Sequence, residues 1–231
     1  MAKINKRELT RLEIVQEATK CFLENGYTDT TIKSICKNLQ MSPGNLTFYF
    51  PTKEHLLSEL VQLLCDFQWK MMKNAAGEEG DYIAAFCLEL TAMVAMCEKD
   101  AVAKDFYLST YVSPICLDII RRNDTRRAMQ IFQKYRPDWT EEQFAEAEIL
   151  VSGMEYATLM TAGDTVLLED RIVGALRNIL QLYGVPEEVQ EQELQKVLSM
   201  DYSSIGSSIL KEFRKYVAET QDITFRNLIK L

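Results

Sequence analysis

The sequence predicts an all-α fold, and three observations support this. Only 9 Gly and 5 Pro interrupt the 231 residues, while the strong helix formers Leu, Glu, Ala, Lys, Gln and Met recur throughout. Apolar residues return every three or four positions, as in amphipathic helices. The content of 47% hydrophobic and 26% charged residues excludes disordered and collagen-like chains. We therefore expect a globular helical protein with a sizeable core.

Charge is divided unevenly along the chain. Residues 1–53 carry eight Lys and Arg against five Asp and Glu, a net charge of +3, whereas the whole chain carries −8. Residues 54–231 are therefore strongly acidic. Because phosphate backbones attract cations, the basic N-terminal segment is the part of the chain suited to a nucleic acid.

The cysteines and the single histidine do not form a metal motif. The cysteines contain no C-x-x-C pair, and His55 stands alone, so a zinc site has neither the ligands nor the spacing. We interpret the cysteines as small buried hydrophobic residues rather than redox sensors. There is no apolar signal segment, and the most apolar stretch, residues 83–97, is too short to span a bilayer. The sequence thus predicts a cytoplasmic protein without a cofactor or metal. The cysteines are Cys21, Cys36, Cys65, Cys87, Cys97 and Cys116.

Start and stop signals in the basic segment predict three short helices. The first ends at Gly26, since glycine adopts the left-handed conformation found at helix C-termini. Thr30 or Thr31 caps the second. Ser42 followed by Pro43 is a strong start signal for the third.

Three such helices with a tight turn before the last are typical of a helix-turn-helix, whose last helix enters the major groove of DNA. Asn45 offers an amide that pairs with adenine through two hydrogen bonds. Phe48 either contacts a thymine methyl group or packs in the small core. Tyr49 is assigned to a phosphate, because Leu46 and Phe50 already fill the inward face.

Many residues near the N-terminus stand at the spacings of one known family. They are Arg11, Ile14, Ala18, Phe22, Gly26, Tyr27, Thr30, Thr31, Ile35, Leu39, Ser42, Gly44, Leu46, Phe50, Lys53, Glu54, Leu56 and Leu57. Together they resemble the N-terminal signature of TetR-family transcriptional regulators. Two positions differ: Cys36 stands where the family usually has Ala, and Thr47 where it most often has a Tyr that touches the phosphate backbone. A contact from Thr47 is therefore shorter or absent.

This resemblance implies an all-helical homodimer with two recognition helices, a ligand-responsive C-terminal domain and, usually, repression. It places a helix-turn-helix DNA-binding domain at residues 7–67, with the motif at about 31–50, and a regulatory, ligand-binding and dimerisation domain at 68–231. The predicted DNA-binding residues are Thr31, Ser42, Pro43, Gly44, Asn45, Thr47, Phe48, Tyr49 and Lys53. Among them the resemblance assigns base contacts to Pro43, Gly44, Asn45 and Thr47, and phosphate contacts to Thr31, Tyr49 and Lys53.

A long fourth helix, from about Thr52 to Ala75, carries one apolar stripe and belongs to both halves of the chain. Residues 77–80 (Gly-Glu-Glu-Gly) then break the chain. The next helix, about Asp81 to Glu98, is apolar nearly all round and is expected in the core. Ser113 and Pro114 begin a further helix.

Arginines on that further helix are expected on its outer side. Because Asp118 and Asp124 lie among them, we interpret the group as a solvated face rather than a second phosphate patch. The arginines are Arg121, Arg122, Arg126 and Arg127.

Aromatic and methionine side chains in the second half are either ordinary core or the wall of a ligand cavity. The family resemblance favours the cavity for some of them. The candidates are Phe86, Leu90, Phe106, Tyr107, Tyr111, Met129, Tyr156 and Met160. Because most of these are apolar and the chain has one histidine, we expect a lipophilic or aromatic effector rather than a metal ion.

Two consecutive amphipathic helices follow, one from Asp138 or Thr140 to about Met160 and one that ends at Gly184, with a break at residues 162–164. Such a pair can join its symmetry mate in a four-helix bundle, and the resemblance places the homodimer interface there. The apolar residues that the first of them presents at heptad spacing are Phe144, Ala147, Val151, Met154 and Thr158. Residues 186–231 predict two more helices, which cover the cavity, widen the interface or bind a partner.

The sequence thus predicts a ligand-responsive transcriptional regulator, a repressor that binds a palindromic operator as a homodimer and is released by a small effector. An enzyme is disfavoured, since no G-x-G-x-x-G, P-loop or H-E-x-x-H pattern is present and no catalytic residue is assigned. A helical adaptor that binds protein is the other alternative. Salt dependence separates them, because only phosphate binding weakens steeply as salt rises.

Overall fold

Helices make up nearly all of the chain that can be described. The computed structural model describes residues 6–77, 82–161 and 166–220, and within these ranges it contains eleven α-helices and no β-strand, which confirms the all-α prediction. The helices are α1 (Lys6–Asn25), α2 (Ile32–Asn38), α3 (Pro43–Tyr49), α4 (Lys53–Ala76), α5 (Tyr82–Lys99), α6 (Ala101–Val112), α7 (Pro114–Phe132), α8 (Glu141–Met160), α9 (Leu168–Leu182), α10 (Glu187–Leu198) and α11 (Tyr202–Glu219). Within the described ranges, no helix is long and apolar enough to cross a membrane.

Local signals set the ends of α1, α2 and α3. Gly26 follows α1 with a φ of 86°, as the sequence predicts. Thr31, not Thr30, caps α2: its hydroxyl oxygen accepts from the Ser34 backbone N–H at 3.0 Å. The Thr30 hydroxyl is buried and donates to the Gly26 carbonyl at 2.7 Å. Ser42 caps α3, with a proline in the first turn, which confirms that start signal.

The turn between α2 and α3 contains a device that the sequence did not reveal. Gln40 has a φ of 52°, the one positive value at a non-glycine residue in the described ranges. The Met41 N–H donates to the Cys36 carbonyl at 3.0 Å, and the Gln40 N–H donates to the Lys37 carbonyl at 3.3 Å. These bonds satisfy the last carbonyls of α2 and turn the chain sharply into α3.

Helix α5 lies at the centre of the second half, and 13 of its 18 residues are buried. Helices α4, α6, α8, α9, α10 and α11 all pack against it. This confirms the core position that its all-round apolar sequence predicts. Helix α6, which the sequence left unassigned, is capped by Asp100, whose carboxylate accepts from the backbone N–H groups of Val102 and Ala103.

Helix α8 is apolar on two opposite faces. The heptad row that includes Phe144, Ala147 and Val151 is buried inside the subunit, so these residues are not available to a partner. The exposed apolar row on α8 instead consists of Ile149, Leu150, Gly153, Ala157 and Met160. The periodicity alone did not distinguish the two rows. The predicted break at residues 162–164 lies outside the described residues.

Helix α11 ties the C-terminal segment to the rest of the chain. It crosses α5 so closely that a Cβ on Gly206 would lie 2.3 Å from the Ala92 carbonyl oxygen. At its other end, the Gln16 side-chain amide of α1 donates to the Val217 carbonyl at 3.1 Å. Helices α10 and α11 therefore cover α5, α11 also braces α1, and no described residue of either helix lines the cavity described below.

Candidate functional site

Helix α3 presents one polar face to solvent. Leu46 is completely buried and Phe50 is 2% exposed, so both anchor the helix, as the sequence predicts. Gly44, Asn45 and Thr47 are exposed on the opposite side, together with Pro43 and Ser42.

Phe48 belongs to this outward face and not to the core of α1 to α3. It is 64% exposed, and its ring lies 5.1 Å from the Arg7 guanidinium carbon. Tyr49 is half-buried, with its ring edge-on to Phe48 at 5.3 Å between centroids. Phe48 is therefore free to enter a groove.

Lys53, at the start of α4, is occupied by the turn between α1 and α2, residues 26–30, which we call the α1–α2 turn. Its ammonium donates to the Tyr27 carbonyl at 2.8 Å and to the Thr30 carbonyl at 2.9 Å. It also lies 4.0 Å from the Tyr27 ring centroid. Burial lowers the pKa of Lys53. Lys53 thus fastens α4 to this turn, which leaves fewer of its three N–H groups for a phosphate.

A second residue holds the same turn from α6. The Asp105 carboxylate accepts from the Thr28 N–H at 2.9 Å and from the Thr28 hydroxyl. The approach requires glycine at 26, since a Cβ there would lie 2.8 Å from an Asp105 oxygen. The α1–α2 turn is therefore attached to both α4 and α6.

The same two helices wall an internal cavity, which also involves α5, α7 and α8. The volume of the cavity is about 60 Å³. Of the eight residues nominated from sequence, Phe86, Leu90, Tyr107 and Tyr111 line it. The others are not among its lining residues: Phe106, Met129, Tyr156 and Met160.

Charged side chains complete the wall of the cavity. The Arg127 guanidinium lies 3.5 Å from a Glu89 oxygen and 3.3 Å from an Asp124 oxygen, and its carbon is 5.2 Å from the Trp69 ring centroid. The expected outer position is therefore wrong for Arg127, while Arg122 and Arg126 are exposed as predicted. The ring stacking and the two carboxylates draw Arg127 inward.

Neutral polar groups link these charges to the aromatic wall. Tyr111 donates its hydroxyl to Glu155 at 2.9 Å. The Tyr107 hydroxyl donates to the side-chain amide oxygen of Gln68 at 2.6 Å. The side-chain amide nitrogen of Gln68 in turn donates to the Glu89 carboxylate at 2.9 Å.

Burial disfavours the charged form of the carboxyl groups. It raises the pKa of Asp124 to about 7, against the opposing effect of Arg127. Burial, followed by the nearby Asp124 and Glu148 carboxylates, raises the pKa of Glu155 well above its usual range. Burial also raises the pKa of Glu89.

Comparison with known proteins identifies the N-terminal part. Residues 14–60 match the family described as bacterial regulatory proteins, tetR family. The N-terminal helix-turn-helix is therefore similar to those of the TetR family. This TetR-type segment contains the α1–α2 turn, α3 and the beginning of α4, and it confirms the resemblance inferred from sequence.

Among curated proteins, two relatives match short stretches of the chain, of 52 and 51 residues. The regulator UidR of Escherichia coli K12 is 38% identical over 52 residues, 22% of this chain and 26% of UidR. QacR of Staphylococcus aureus is 39% identical over 51 residues, 22% of this chain and 27% of QacR. The chain thus matches about a quarter of the length of these relatives. Both are named HTH-type transcriptional regulators.

Among solved structures, the likeness extends beyond the TetR-type segment. RolR in complex with resorcinol has a TM-score of 0.65 and 18% identity, over 84% of this chain and 96% of RolR. RolR without ligand has a TM-score of 0.58 and 16% identity, over 81% of this chain and 96% of RolR. At these identities, the likeness concerns the fold.

The sequence missed the polar half of the cavity wall. Gln68, Glu89, Asp124, Arg127 and Glu155 stand on four different helices, and each lies within an otherwise ordinary amphipathic pattern. The one local signal was an Asp three residues before an Arg, the spacing at which the two side chains meet on a helix. That spacing does not show which way the pair faces.

Proposed function

We propose that this protein is a cytoplasmic DNA-binding transcriptional regulator, a repressor that releases its operator when a small effector binds. The exposed face of α3, within a TetR-type helix-turn-helix, is the observation that carries the proposal. Asn45 and Phe48 on this face reach base edges, and Thr31, Tyr49 and Lys53 contact phosphates. Ser42, Pro43, Gly44 and Thr47 lie at the N-terminal half of α3, where base contacts concentrate.

Titration of purified protein with the DNA that adjoins its own gene tests this proposal. Asn45→Ala is expected to reduce discrimination between operator and scrambled DNA, since an amide–adenine pair contributes about 1–3 kcal/mol. Lys53→Ala is expected to weaken both DNAs alike, because it acts on a phosphate and on the α1–α2 turn. Lys215→Ala, which removes an exposed charge on α11, is the control. Equal losses from Asn45→Ala and Lys53→Ala on both DNAs contradict these roles, and affinity independent of salt contradicts DNA binding itself.

The exposed apolar row of α8 supports a homodimer. Ile149 and Leu150 are 53% and 59% exposed, and Gly153 and Ala157 continue the row without bulk. Small residues let two helices approach closely, so a second copy of the chain fits this face. Two subunits would present two α3 helices to successive major grooves, about 34–36 Å apart.

Sedimentation tests the dimer. Leu150→Glu places a charge in the proposed interface and is expected to give monomers. Val112→Glu makes the same kind of change at a residue that is 63% exposed on α6, and is expected to leave the dimer intact. If Leu150→Glu stays dimeric, the interface lies elsewhere.

The response to an effector follows from the attachment of α4 and α6 to one turn. A lipophilic or aromatic molecule in the cavity would press on Leu64 of α4 and on Tyr107 and Tyr111 of α6. Any change in the separation of α4 and α6 would reach the α1–α2 turn through Lys53 and Asp105. Operator and effector would then lower each other's affinity by the same factor.

Resorcinol, which occupies RolR in one of its structures, is a suitable first probe of this response. We expect a probe that binds in the cavity to weaken operator binding, and operator DNA to weaken probe binding by an equal factor. A probe that binds tightly in the cavity and leaves operator affinity unchanged contradicts the coupling.

A further inference from the structure

The cavity wall carries more negative than positive groups. Glu89, Asp124 and Glu155 converge on it, whereas Arg127 is the one cationic side chain among the described residues that line it. Arg127 is already shared between Glu89 and Asp124. The nearby Arg121 points its Nε to the Ser152 hydroxyl at 2.9 Å and does not line the cavity.

Glu155 is the carboxyl group that Arg127 does not pair with. Its carboxyl group accepts a hydrogen bond from a neutral group, the Tyr111 hydroxyl, at 2.9 Å. The other ionisable groups around it are Asp124 and Arg127 on α7, Glu89 on α5 and Glu148 on its own helix, so acidic groups outnumber the one basic group. Glu148 itself accepts a hydrogen bond from the hydroxyl of Tyr183, the residue that follows α9.

Aromatic rings form the complementary part of the wall. Phe86, Tyr107 and Tyr111 line the same space as Glu155. The face of an aromatic ring attracts a cation, and the attraction strengthens where water is excluded. A ring and a carboxylate side by side therefore favour a ligand that is both aromatic and positively charged.

We propose that the effector of this cavity is a small organic cation, a single aromatic ring bearing an ammonium group, whose nitrogen is held by Glu155. This rests on the proposed effector-dependent function and specifies its ligand. The ammonium donates N–H groups to the Glu155 carboxylate, and the ring packs on Phe86 and Tyr107. At about 60 Å³ the cavity is smaller than the roughly 150 Å³ that encloses one benzene ring, so even a one-ring ligand has to push its walls apart.

Binding of the cation releases a proton. In the empty cavity burial and the neighbouring carboxylates raise the pKa of Glu155, which favours its protonated form. The ammonium stabilises the carboxylate, so the proton leaves to solvent as the cation enters. Affinity is therefore expected to rise with pH for as long as the alkylammonium stays charged.

Calorimetric titration of the full chain with three matched compounds tests the proposal. They are 2-phenylethylamine, the neutral 2-phenylethanol and the anionic phenylacetate, which share one ring and differ in charge. We expect the amine to bind at least about tenfold more tightly than either of the others. In buffers of different ionisation enthalpy, its binding should release protons.

Glu155→Gln separates charge from shape, because the amide oxygen still accepts from Tyr111. This variant is expected to lose about tenfold in affinity for the amine and to bind the alcohol as the parent does. Glu188→Gln, the same change on the exposed surface of α10, is expected to alter neither.

The proposal is overturned if the amine does not bind, if the alcohol or phenylacetate binds as tightly, or if Glu155→Gln leaves the amine affinity unchanged. Operator binding by the same ligand-free samples tests the regulator function separately. If the protein binds the operator but does not prefer the amine, only the proposal of a cationic effector is wrong. If the protein does not bind DNA, the proposed regulator function is wrong.

Discussion

The core of α1 to α3 and the interior of the second half of the chain differ in polarity. Around Ile14, Phe22, Ile35 and Leu46 the N-terminal core is apolar except for the buried hydroxyls of Thr19 and Thr30, which donate to nearby backbone carbonyls. The interior between α4 and α8 instead encloses carboxyl groups, an arginine and tyrosine hydroxyls.

The difference teaches where each region acts. A DNA-reading face must be exposed, so its support can be purely apolar and its polar groups can be satisfied by their own helices. A site for a small molecule must exclude water, so its polar groups are satisfied across helices and carry shifted pKa values. Helices α4 and α6 join the two regions at the α1–α2 turn.

The largest expected effect comes from Gly206, where α11 crosses α5 behind the cavity region. A Cβ there would lie 2.3 Å from the Ala92 carbonyl oxygen, a backbone atom that cannot rotate away. Gly206→Val is expected to lower the free energy of unfolding by about 3 kcal/mol, as in severe overpacking. Urea unfolding measures this.

Gly174 provides the matched control, since nothing lies within 4 Å of the position of its Cβ. Gly174→Ala is expected to stabilise by about 0.5–1 kcal/mol through helix propensity. If Gly206→Val proves as harmless as Gly174→Ala, α11 does not press on α5 as described.

The second effect is a dependence of stability on pH that arises only from the buried carboxyl groups in the second half of the chain. Burial raises the pKa of Glu148 to about 8 and of Asp124 to about 7, far above the values of unfolded carboxyl groups. Between those values and the unfolded ones the folded protein binds more protons. Stability is therefore full below the unfolded pKa and falls as pH rises, by up to about 1.4 kcal/mol per pH unit for each proton.

Glu148→Gln tests this dependence, because its amide oxygen still accepts from the Tyr183 hydroxyl. Unfolding free energies at several pH values should show the variant equal to the parent near pH 5 and more stable near pH 8. The exposed Glu188→Gln should follow the parent throughout. A parent whose stability increases from pH 5 to pH 8 would contradict the buried-acid interpretation.

This contrast also explains what the sequence could predict. Thr31, Ser42 and Gly26 act on residues within four positions, so their roles can be inferred from local pattern. Arg127 was misplaced because its inward turn depends on Trp69 and Glu89, which come from α4 and α5. No local signal contains that information.

The same holds for the cavity and for α8. Of the residues nominated from sequence, Tyr107 and Tyr111 line the cavity, whereas the equally aromatic Phe106 does not. Met160 lies on the exposed row of α8. Which of the two apolar faces of α8 points inward is decided by packing against α7 and α9.

A third, smaller effect is expected at Asp105, which connects the two regions. Asp105→Ala removes two hydrogen bonds to Thr28 at a partly exposed position and is expected to cost about 1 kcal/mol. Amide hydrogen exchange should accelerate in the α1–α2 turn while α5 stays protected. The control is Asp118→Ala, which removes an exposed pair with Arg122 and should change little. Unchanged exchange at residues 26–30 in Asp105→Ala would show that α6 does not hold the turn.

The smallest effect concerns the α2–α3 turn and tests whether the N-terminal region is as locally determined as the contrast requires. Gln40 adopts a φ of 52°, which costs a residue with a side chain more than it costs glycine. Gln40→Gly relieves that cost but loosens the unfolded chain, so we expect a net gain of about 0.5 kcal/mol in unfolding free energy. Gln40→Ala keeps the strain and should give no gain. Destabilisation by Gln40→Gly would mean that the side chain of Gln40 makes contacts that matter more than its backbone, and the turn would then depend on tertiary packing as the cavity does.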